Sequence, residues 1–290
     1  MRLIVTADWH LRKELPSCRN DKDWIEYQGK VIQFILDKVY ELKSKLCIVG
    51  DIFDKAKDDI VIVNLLLKLV KNYYDEGKLE SVYVIAGNHD LLYHSSLDLD
   101  KTLFGAIYKN QIFKDLSSLG LAKHYGEKDF RGDRNSDIMF LHEFVYNDSS
   151  LSFFNKGYSV QELLEEYKSI KWFFVGDNHK GFTYQNKNRY VVNPGCILIQ
   201  ERDMIDYAAG IYFVDTEKEE IKRIEVPDFG SSFVDIQSIK KTESNINSFI
   251  ELIRDKKEIS FDFVSNLKKE MMNIKDKKLY DFLDSFIKDL

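Results

Sequence analysis

Five short polar blocks in the sequence carry side chains of the kinds that bind divalent metal ions. Each block directly follows a short apolar segment, so its polar side chains stand where that segment ends. The blocks are Asp8-x-His10, Gly50-Asp51-x-x-Asp54, Gly87-Asn88-His89-Asp90, His142 and Asp177-x-His179. Taken singly, each block also fits an ordinary turn, because Gly, Asn and Asp are frequent turn residues. Five such blocks at five segment ends favour a shared metal site.

The donor set of these blocks indicates two metal ions. Three carboxylates, three imidazoles and one carboxamide suit mixed oxygen and nitrogen coordination, whereas a single zinc ion needs only about four ligands. Two divalent ions about 3.5–4 Å apart can clamp a phosphate ester and support attack by water on it. The glycines before Asp51, Asn88 and Asp177 lack a Cβ, which lets the backbone turn sharply and approach a ligand or metal. The blocks therefore predict phosphoester hydrolysis.

The apolar segments before the blocks are typical of buried β-strands. They alternate with segments of helical periodicity, which predicts an α/β layered fold with a partly parallel sheet. Predicted strands before the blocks cover residues 1–7, 46–50, 81–87, 137–142 and 171–176. Predicted helices cover residues 24–43, 59–74 and 159–169, and later strands, expected to be antiparallel neighbours, cover residues 189–195, 208–215 and 220–227. Because sites in such folds lie at strand ends, the five blocks should converge at one edge of the sheet.

The bulk properties of the chain are those of a soluble globular protein, with 44% hydrophobic and 31% charged residues among 290. Gly230-Ser231-Ser232 predict a junction between a domain of residues 1–230 and a small helical module of residues 231–290. No apolar run approaches the roughly 20 residues of a membrane span, and the first ten residues lack the features of a signal peptide. The three cysteines show no metal-binding spacing, so we expect a reducing, cytoplasmic setting.

The net charge of −6 is unlike that of a protein that binds nucleic acid by itself. It does not exclude nucleic acid, because bound divalent metals or a partner subunit could supply positive charge.

The order of the five blocks resembles that of the calcineurin-like metallophosphoesterases. The segments "TADWHL", "VGDIFDK" and "VVNPGC" are similar to those of the SbcD-type branch, the nuclease subunits of DNA recombination and repair complexes, including the phage versions. This resemblance covers roughly residues 1–226 and implies a β-sheet sandwich flanked by helices. The protein serine/threonine phosphatases are disfavoured, because Phe53-Asp54-Lys55 stands where they carry an arginine motif.

The resemblance also implies a ligand set. Asp8, His10, Asp51 and His179 would hold the first metal, Asp51 would bridge, and Asn88, His142 and Asp177 would complete the second. Family members usually carry a histidine where this chain has Asp177. The additional carboxylate favours a hard ion, so we expect two divalent ions, with Mn²⁺ ahead of Mg²⁺.

The same resemblance implies that His89 is the general acid for the leaving oxygen, with Asp54 orienting it. An imidazole holds and releases a proton near neutral pH, which suits this task. Candidate substrate contacts are Arg12, Lys13, Arg19, His94 and Lys180. For the basic residues among them, ordinary solvated surface charge is an equally good interpretation.

The expected partners are DNA and a coiled-coil, SbcC-like ATPase subunit, contacted through the C-terminal helices; a homodimer is a further candidate, and no membrane is expected. Two alternative functions remain at this point. One is a phosphodiesterase or phosphatase for small nucleotides, which the acidic charge favours. The other is a non-catalytic scaffold with the same fold, which should show more gaps in the ligand set than the single departure at Asp177.

Overall fold

The apolar segments that precede the polar blocks form the centre of two stacked β-sheets. The computed structural model describes residues 1–57, 59–147 and 157–234. The first sheet contains, in spatial order, Glu220–Glu225 (β13), Gly210–Asp215 (β12), Arg2–Thr6 (β1), Lys45–Val49 (β2), Val82–Ile85 (β3) and Phe113–Asp115 (β4). The strands β1 to β4 run parallel, and β12 and β13 are antiparallel to their neighbours.

The second sheet is also mostly parallel. It contains, in spatial order, Phe182–Asn186 (β10), Arg189–Asn193 (β11), Trp172–Gly176 (β9), Ile138–His142 (β6) and Leu121–Ala122 (β5). Only β10 among these five is antiparallel to its neighbour. Two short parallel strands, Val145–Tyr146 (β7) and Tyr158–Ser159 (β8), form a separate pair.

The described α-helices begin at side-chain caps. They are Trp24–Glu41 (α1), Ile60–Asp75 (α2), Leu103–Tyr108 (α3) and Val160–Glu166 (α4). The carboxylate of Asp23 accepts a hydrogen bond from the Glu26 N–H at the start of α1, and Ser159 with Glu162 forms a capping box at α4. These bonds satisfy N–H groups that have no partner within the helix.

The alternation of side chains along the strands produces four layers. In β1, Ile4 faces the core shared with α1 and α2, whereas its neighbour Val5 faces the second sheet and packs in one cluster with Phe140 and Phe174. On the outer face of the second sheet, Phe173 packs with residues of α4. Helices thus cover both outer faces of a β-sandwich, which confirms the predicted fold class for this part of the chain.

The later strands differ from the prediction. The strands β12 and β13 are antiparallel neighbours as expected, but β11 lies in the other sheet, between β9 and β10. The prediction missed β10 because its sequence, Phe-Thr-Tyr-Gln-Asn, is half-exposed and has no apolar run. The segment of residues 194–209 then carries the chain from the second sheet to the first.

Beyond residue 234 the chain lies outside the described residues, so nearly all of the predicted module of residues 231–290 does too, and the domain boundary stays a prediction. Among the residues that the structure describes, no helix is both long enough and apolar enough to cross a bilayer.

Candidate metal centre

The five polar blocks meet where the carboxyl ends of β1, β2 and β3 from one sheet face those of β6 and β9 from the other. The loops after β1 and β2 also bind each other directly. The N–H of Asp8 donates to the Gly50 carbonyl at 3.2 Å, and the N–H of His10 donates to the Asp51 carbonyl at 3.0 Å. The site is therefore fixed by main-chain bonds between loops as well as by the strands.

Asp8, His10 and His179 form a first group of metal-competent side chains. One ligand atom from each lies within 4.8 Å of the others, and the Nε2 atoms of the two imidazoles are 3.1 Å apart. Asp8 and His10 are buried, whereas His179 is partly exposed. Two imidazole nitrogens and a carboxylate thus lie within reach of one cation.

Asp8, Asp51 and His142 form a second such group, which shares Asp8 with the first. The Nδ1–H of His142 donates to the Val49 carbonyl at 2.8 Å. Its Nε2 therefore faces the oxygens of Asp51, Asn88 and Asp177, at 3.3, 3.0 and 3.8 Å. A nitrogen lone pair among three oxygens is unfavourable unless a proton or a metal ion lies between them.

Burial and ion pairing determine which side chains of the cluster carry a proton. Burial raises the pKa of Asp8 to about 6 and lowers the pKa of His10 to about 3. Burial also opposes charge on Asp51 and His142, but the attraction between these two outweighs it, so the pKa of Asp51 is lowered and that of His142 is raised. Protons and metal ions therefore compete for the same donors, and metal affinity should rise with pH.

Four residues of the site have a strained backbone. The φ angles of Asp8, His10, Asp51 and Asp177 are 51°, 44°, 50° and 80°, a left-handed region that non-glycine residues rarely adopt. Such strain clusters at functional sites, where the surrounding structure holds it. At Asp177 the backbone N–H donates to both carboxylate oxygens of Asp8, at 3.1 and 3.2 Å. This contact fixes the main chain at Asp177 to the carboxylate of Asp8.

Two glycines leave the space that the ligands occupy. A Cβ at Gly87 would lie 2.1 Å from Asp51 Oδ1, and a Cβ at Gly50 would lie 2.1 Å from His142 Nδ1. Neither glycine can carry a side chain while Asp51 and His142 keep their places.

The close packing, the donor types and the shared Asp8 fit two divalent ions. One ion would be held by Asp8, His10 and His179, and the other by Asn88, His142 and Asp177. Asp51 lies between the two groups, with its Oδ2 3.6 Å from the Nε2 of His10 and 3.3 Å from the Nε2 of His142.

His89 lies beside this cluster and is held by the main chain. Its Nδ1–H donates to the backbone carbonyl of Asp54 at 2.8 Å, and its ring packs edge-on against His10 with centroids 4.7 Å apart. The carboxylate of Asp54 instead pairs with Arg12, at 3.3 Å. The structure thus brings His89 and Asp54 together through the Asp54 carbonyl, and a carboxylate oxygen of Asp54 also lies within 4.8 Å of a ring nitrogen of His89. Burial lowers the pKa of His89, yet the charge of Asp51 and the Asp54 carbonyl outweigh it and raise the pKa above its ordinary value.

Of the predicted substrate contacts, Arg12 is placed at the site. It lines a cleft of about 110 Å³ together with His10, His89 and His179. Lys13 and Lys180 have exposed side chains on the neighbouring loops. His94 is exposed as well, and its Nδ1–H donates to the Asn88 carbonyl at 3.3 Å.

Arg19 does not lie in the site, contrary to the prediction. Its guanidinium is enclosed by the rings of Trp24, Tyr27 and Phe233, at 4.9, 4.5 and 4.5 Å. The guanidinium also donates two hydrogen bonds to the Asp21 carboxylate, at 2.7 and 2.8 Å. Only 3% of the residue is exposed, so Arg19 stabilises the fold instead of contacting a phosphate.

Sequence reasoning missed residues that support the ligands. The Nδ2 of Asn193 donates to the carbonyls of Asn178 and Lys180, at 2.7 and 3.0 Å, and so fixes the backbone on both sides of His179. The Nε2 of Gln200 likewise donates to the His10 carbonyl at 2.8 Å. The "VVNPGC" segment contains Asn193, so its resemblance to the SbcD-type branch could have indicated this residue. Nothing in the sequence indicated Gln200.

The buried side chain of Asp90 holds together two of the loops that carry the candidate ligands. Its buried carboxylate accepts the N–H groups of Ile52, Phe53 and Gly87, at 3.2, 2.9 and 3.0 Å. Burial, with the charge of Asp51, raises its pKa to about 7. The carboxylate joins the loops that carry Asp51 and Asn88.

The fold and the site agree with a known family. The family described as calcineurin-like phosphoesterase matches residues 1–209, and the chain belongs to it. Among solved structures, the chain is similar to an archaeal phosphodiesterase, with 16% identity and a TM-score of 0.39 over 78% of this chain and 99% of that one. It is also similar to Vps29 of Entamoeba histolytica in complex with Zn²⁺, with 12% identity and a TM-score of 0.39 over 81% of this chain and 97% of that one.

Family membership and the donor set together support metal-dependent phosphoester hydrolysis. The resemblance to the SbcD-type branch stays a prediction.

Proposed function

We propose that the protein is a two-metal-dependent nuclease that hydrolyses phosphodiester bonds in DNA. The observation that supports this most is the pair of metal-competent groups sharing Asp8, with His89 held beside them at 2.8 Å from the Asp54 carbonyl. The choice of DNA within the phosphoesterase family rests on the SbcD-like segments around Asp8, Asp51 and Asn193.

The candidate ligands would bind two divalent ions, Mn²⁺ or Mg²⁺, at fixed positions. When bound, such ions supply positive charge to the phosphate oxygens and activate water for attack. Asp51 keeps the two positions together, because it lies between His10 and His142. The hydrogen bonds of Asn193 and Gln200 hold the backbone of His179 and His10 in place, so that the imidazoles do not have to reorganise during the reaction.

His89 has the task of protonating the leaving 3′ oxygen. Its Nδ1 is engaged by the Asp54 carbonyl, so Nε2 is the nitrogen available for proton transfer. Arg12 lines the same cleft and carries a charge that can meet a phosphate oxygen. Its pairing with Asp54 keeps the guanidinium oriented before substrate binds.

The protein would act as the nuclease subunit of an SbcCD-like complex in the cytoplasm. The net charge of −6 suits a subunit that obtains its positive charge from bound metals and from a partner. The partner would be a coiled-coil ATPase that docks on residues 231–290, and a homodimer would bring two nuclease sites into one complex. Residues 235–290 lie outside the described part, so this step rests on the sequence resemblance alone.

Incubation with labelled single-stranded and double-stranded DNA in Mn²⁺ tests the proposal. Wild type should cleave DNA, chelation of the metal should stop cleavage, and Asp51→Asn should be inactive while remaining folded. Faster turnover of cyclic nucleotides or a chromogenic diester than of DNA would identify a small-nucleotide phosphodiesterase instead. Absence of both activities, with no Mn²⁺ bound, would identify a non-catalytic scaffold.

A further inference from the structure

Two large apolar side chains stand almost fully in solvent beside the metal centre. Tyr93 and Leu97 are 92% and 93% exposed, whereas the other exposed large apolar residues in the described part of the chain range from 42% to 63%. Both belong to the segment that directly follows the Gly87-Asn88-His89-Asp90 block. Such exposure leaves both side chains accessible to another molecule.

The backbone at Tyr93 is held in a strained conformation. The φ angles of Tyr93 and His94 are 52° and 54°, and two consecutive non-glycine residues in the left-handed region cost free energy. The same segment contacts the site, because the His94 Nδ1–H donates to the carbonyl of Asn88 at 3.3 Å. The His94 ring also packs against Tyr125, whose ring lies 6.3 Å from that of His142. Tyr93 is therefore presented to solvent by a segment anchored on the ligand loops.

Chain geometry limits how far Tyr93 can lie from the reacting phosphate. Tyr93 lies four positions after His89, and four residues of chain span at most about 14 Å. Its neighbour His94 contacts Asn88, and consecutive Cα atoms are about 3.8 Å apart. A tyrosine ring at this position can meet a base within a few nucleotides of a phosphate held at the metals.

We propose that Tyr93, supported by Leu97, is a stacking platform for an unpaired nucleobase next to the phosphate that is cleaved. This inference rests on the proposed function and narrows its substrate to single strands or frayed ends, because bases within a duplex are stacked on each other. Stacking on an aromatic ring is largely independent of base sequence. It also supplies affinity without positive charge, which suits a chain of net charge −6.

The test measures binding of a fluorescent single-stranded oligonucleotide that contains 2-aminopurine, with Mn²⁺ present. All proteins carry His89→Ala so that the strand stays intact. Tyr93→Ala should weaken binding about 5- to 150-fold, the range for loss of one stacked base, and should abolish the quenching of 2-aminopurine. The slope of log affinity against log salt should not change, because no phosphate contact is removed.

Matched variants separate stacking from a general loss of structure. Tyr93→Phe should bind as the parent does, because it keeps the ring. Tyr40→Ala removes a tyrosine that is 53% exposed at the far end of α1 and should have no effect. Leu97→Ala should weaken binding less than Tyr93→Ala. A relaxed, covalently closed circular duplex has no ends and no unpaired loops, so it should bind equally to the parent and to Tyr93→Ala.

Equal affinity of the parent and Tyr93→Ala for the single strand would overturn the inference, whatever other partner the patch binds. So would failure of the parent to bind it, or an equal loss on the closed duplex. Cleavage is measured separately in proteins that keep His89. Loss of stacking in Tyr93→Ala together with no cleavage by wild type would support the platform and contradict the nuclease function. Cleavage by wild type with no effect of Tyr93→Ala on binding would support the nuclease function and contradict the stacking platform.

Discussion

The imidazole of His89 is positioned by the main chain of Asp54, with Nδ1 2.8 Å from the backbone carbonyl. The side chain of Asp54 turns instead toward Arg12. The orientation of His89 therefore depends on the backbone of the loop after β2, and only indirectly on the residue type at position 54.

His89→Ala should reduce DNA cleavage by about 10²–10⁴-fold, the usual contribution of a proton-transfer group. Bound Mn²⁺ should be unchanged, because the ring bonds a carbonyl and leaves the predicted ligands intact. Asp54→Asn is the matched control: it keeps the carbonyl, so its loss of activity should be much smaller. Cleavage assays with metal analysis measure both effects, and loss of Mn²⁺ from His89→Ala would show that His89 is a ligand.

Asp177→Ala should weaken the second metal site and leave the first largely occupied, because Asp8, His10 and His179 remain. Higher Mn²⁺ should partly restore cleavage. Asp177→His should stay active and shift the preference toward ions that favour imidazole. Calorimetric Mn²⁺ titration of these variants measures the two affinities. Equal second-site affinity in wild type and Asp177→Ala would mean that this residue only shapes the turn before His179.

Gly87→Ala should abolish Mn²⁺ binding in a folded protein. The added Cβ would lie 2.1 Å from Asp51 Oδ1 and 2.5 Å from the Asp51 nitrogen, so the carboxylate would have to move. Gly29→Ala is the control, since its Cβ would meet its nearest neighbour at an ordinary 3.6 Å within α1. Circular dichroism and calorimetry together check the outcome. Normal Mn²⁺ affinity in Gly87→Ala would contradict the described position of Asp51.

The positions of the candidate ligands at strand ends could be predicted from the sequence, because the strands that carry them are continuous apolar runs. Asp8 and Asp51 follow such runs in the first sheet, and Asp177 follows one in the second. Convergence at the edge of one sheet was predicted, but the meeting of the two sheets depends on how they stack, which the apolar runs do not encode. By contrast, a charged loop residue such as Arg19 has the same sequence appearance whether it is exposed or enclosed by aromatic rings. The sheet that receives β11 depends on long-range pairing with β9, and the spacing of apolar runs does not encode this.

Lowering the pH should destabilise the metal-free protein partly through His124. Its buried Nδ1 accepts a hydrogen bond from the Ala86 N–H at 2.9 Å. Burial and the charge of Arg131 lower the pKa of His124 from an ordinary 6.5 to about 4, and the charges of Glu127 and Asp115 oppose this only in part. Between these values the unfolded chain binds more protons than the folded one, so this contribution is complete above pH 6.5 and is lost as the pH falls toward 4.

When the pH falls from 7 to 5, the free energy of unfolding of wild type should therefore decrease by about 2 kcal/mol more than that of His124→Gln. Urea unfolding in a chelating buffer measures the difference, and the titration of the ligand cluster cancels because both proteins share it. Parallel pH profiles for the two proteins would contradict the assignment.

Arg19→Lys should lower the free energy of unfolding by about 1–3 kcal/mol, because lysine cannot replace both the paired bonds to Asp21 and the stacking on three rings. Cleavage per folded molecule should be unchanged. Arg12→Lys should show the opposite pattern, with stability near that of wild type and weaker binding of DNA. Denaturant unfolding and cleavage kinetics distinguish the two. A loss of DNA affinity in Arg19→Lys without a loss of stability would restore the predicted phosphate contact.

The number of Mn²⁺ ions bound per chain tests the central claim most directly. Anomalous diffraction from crystals grown with Mn²⁺ should show two ions, one beside Asp8, His10 and His179 and the other beside Asn88, His142 and Asp177, both within reach of Asp51. Asp51→Asn should weaken both sites, and cleavage should appear only when both are filled. A single ion in wild type crystals at saturating Mn²⁺, or full activity with one ion bound, would contradict the account.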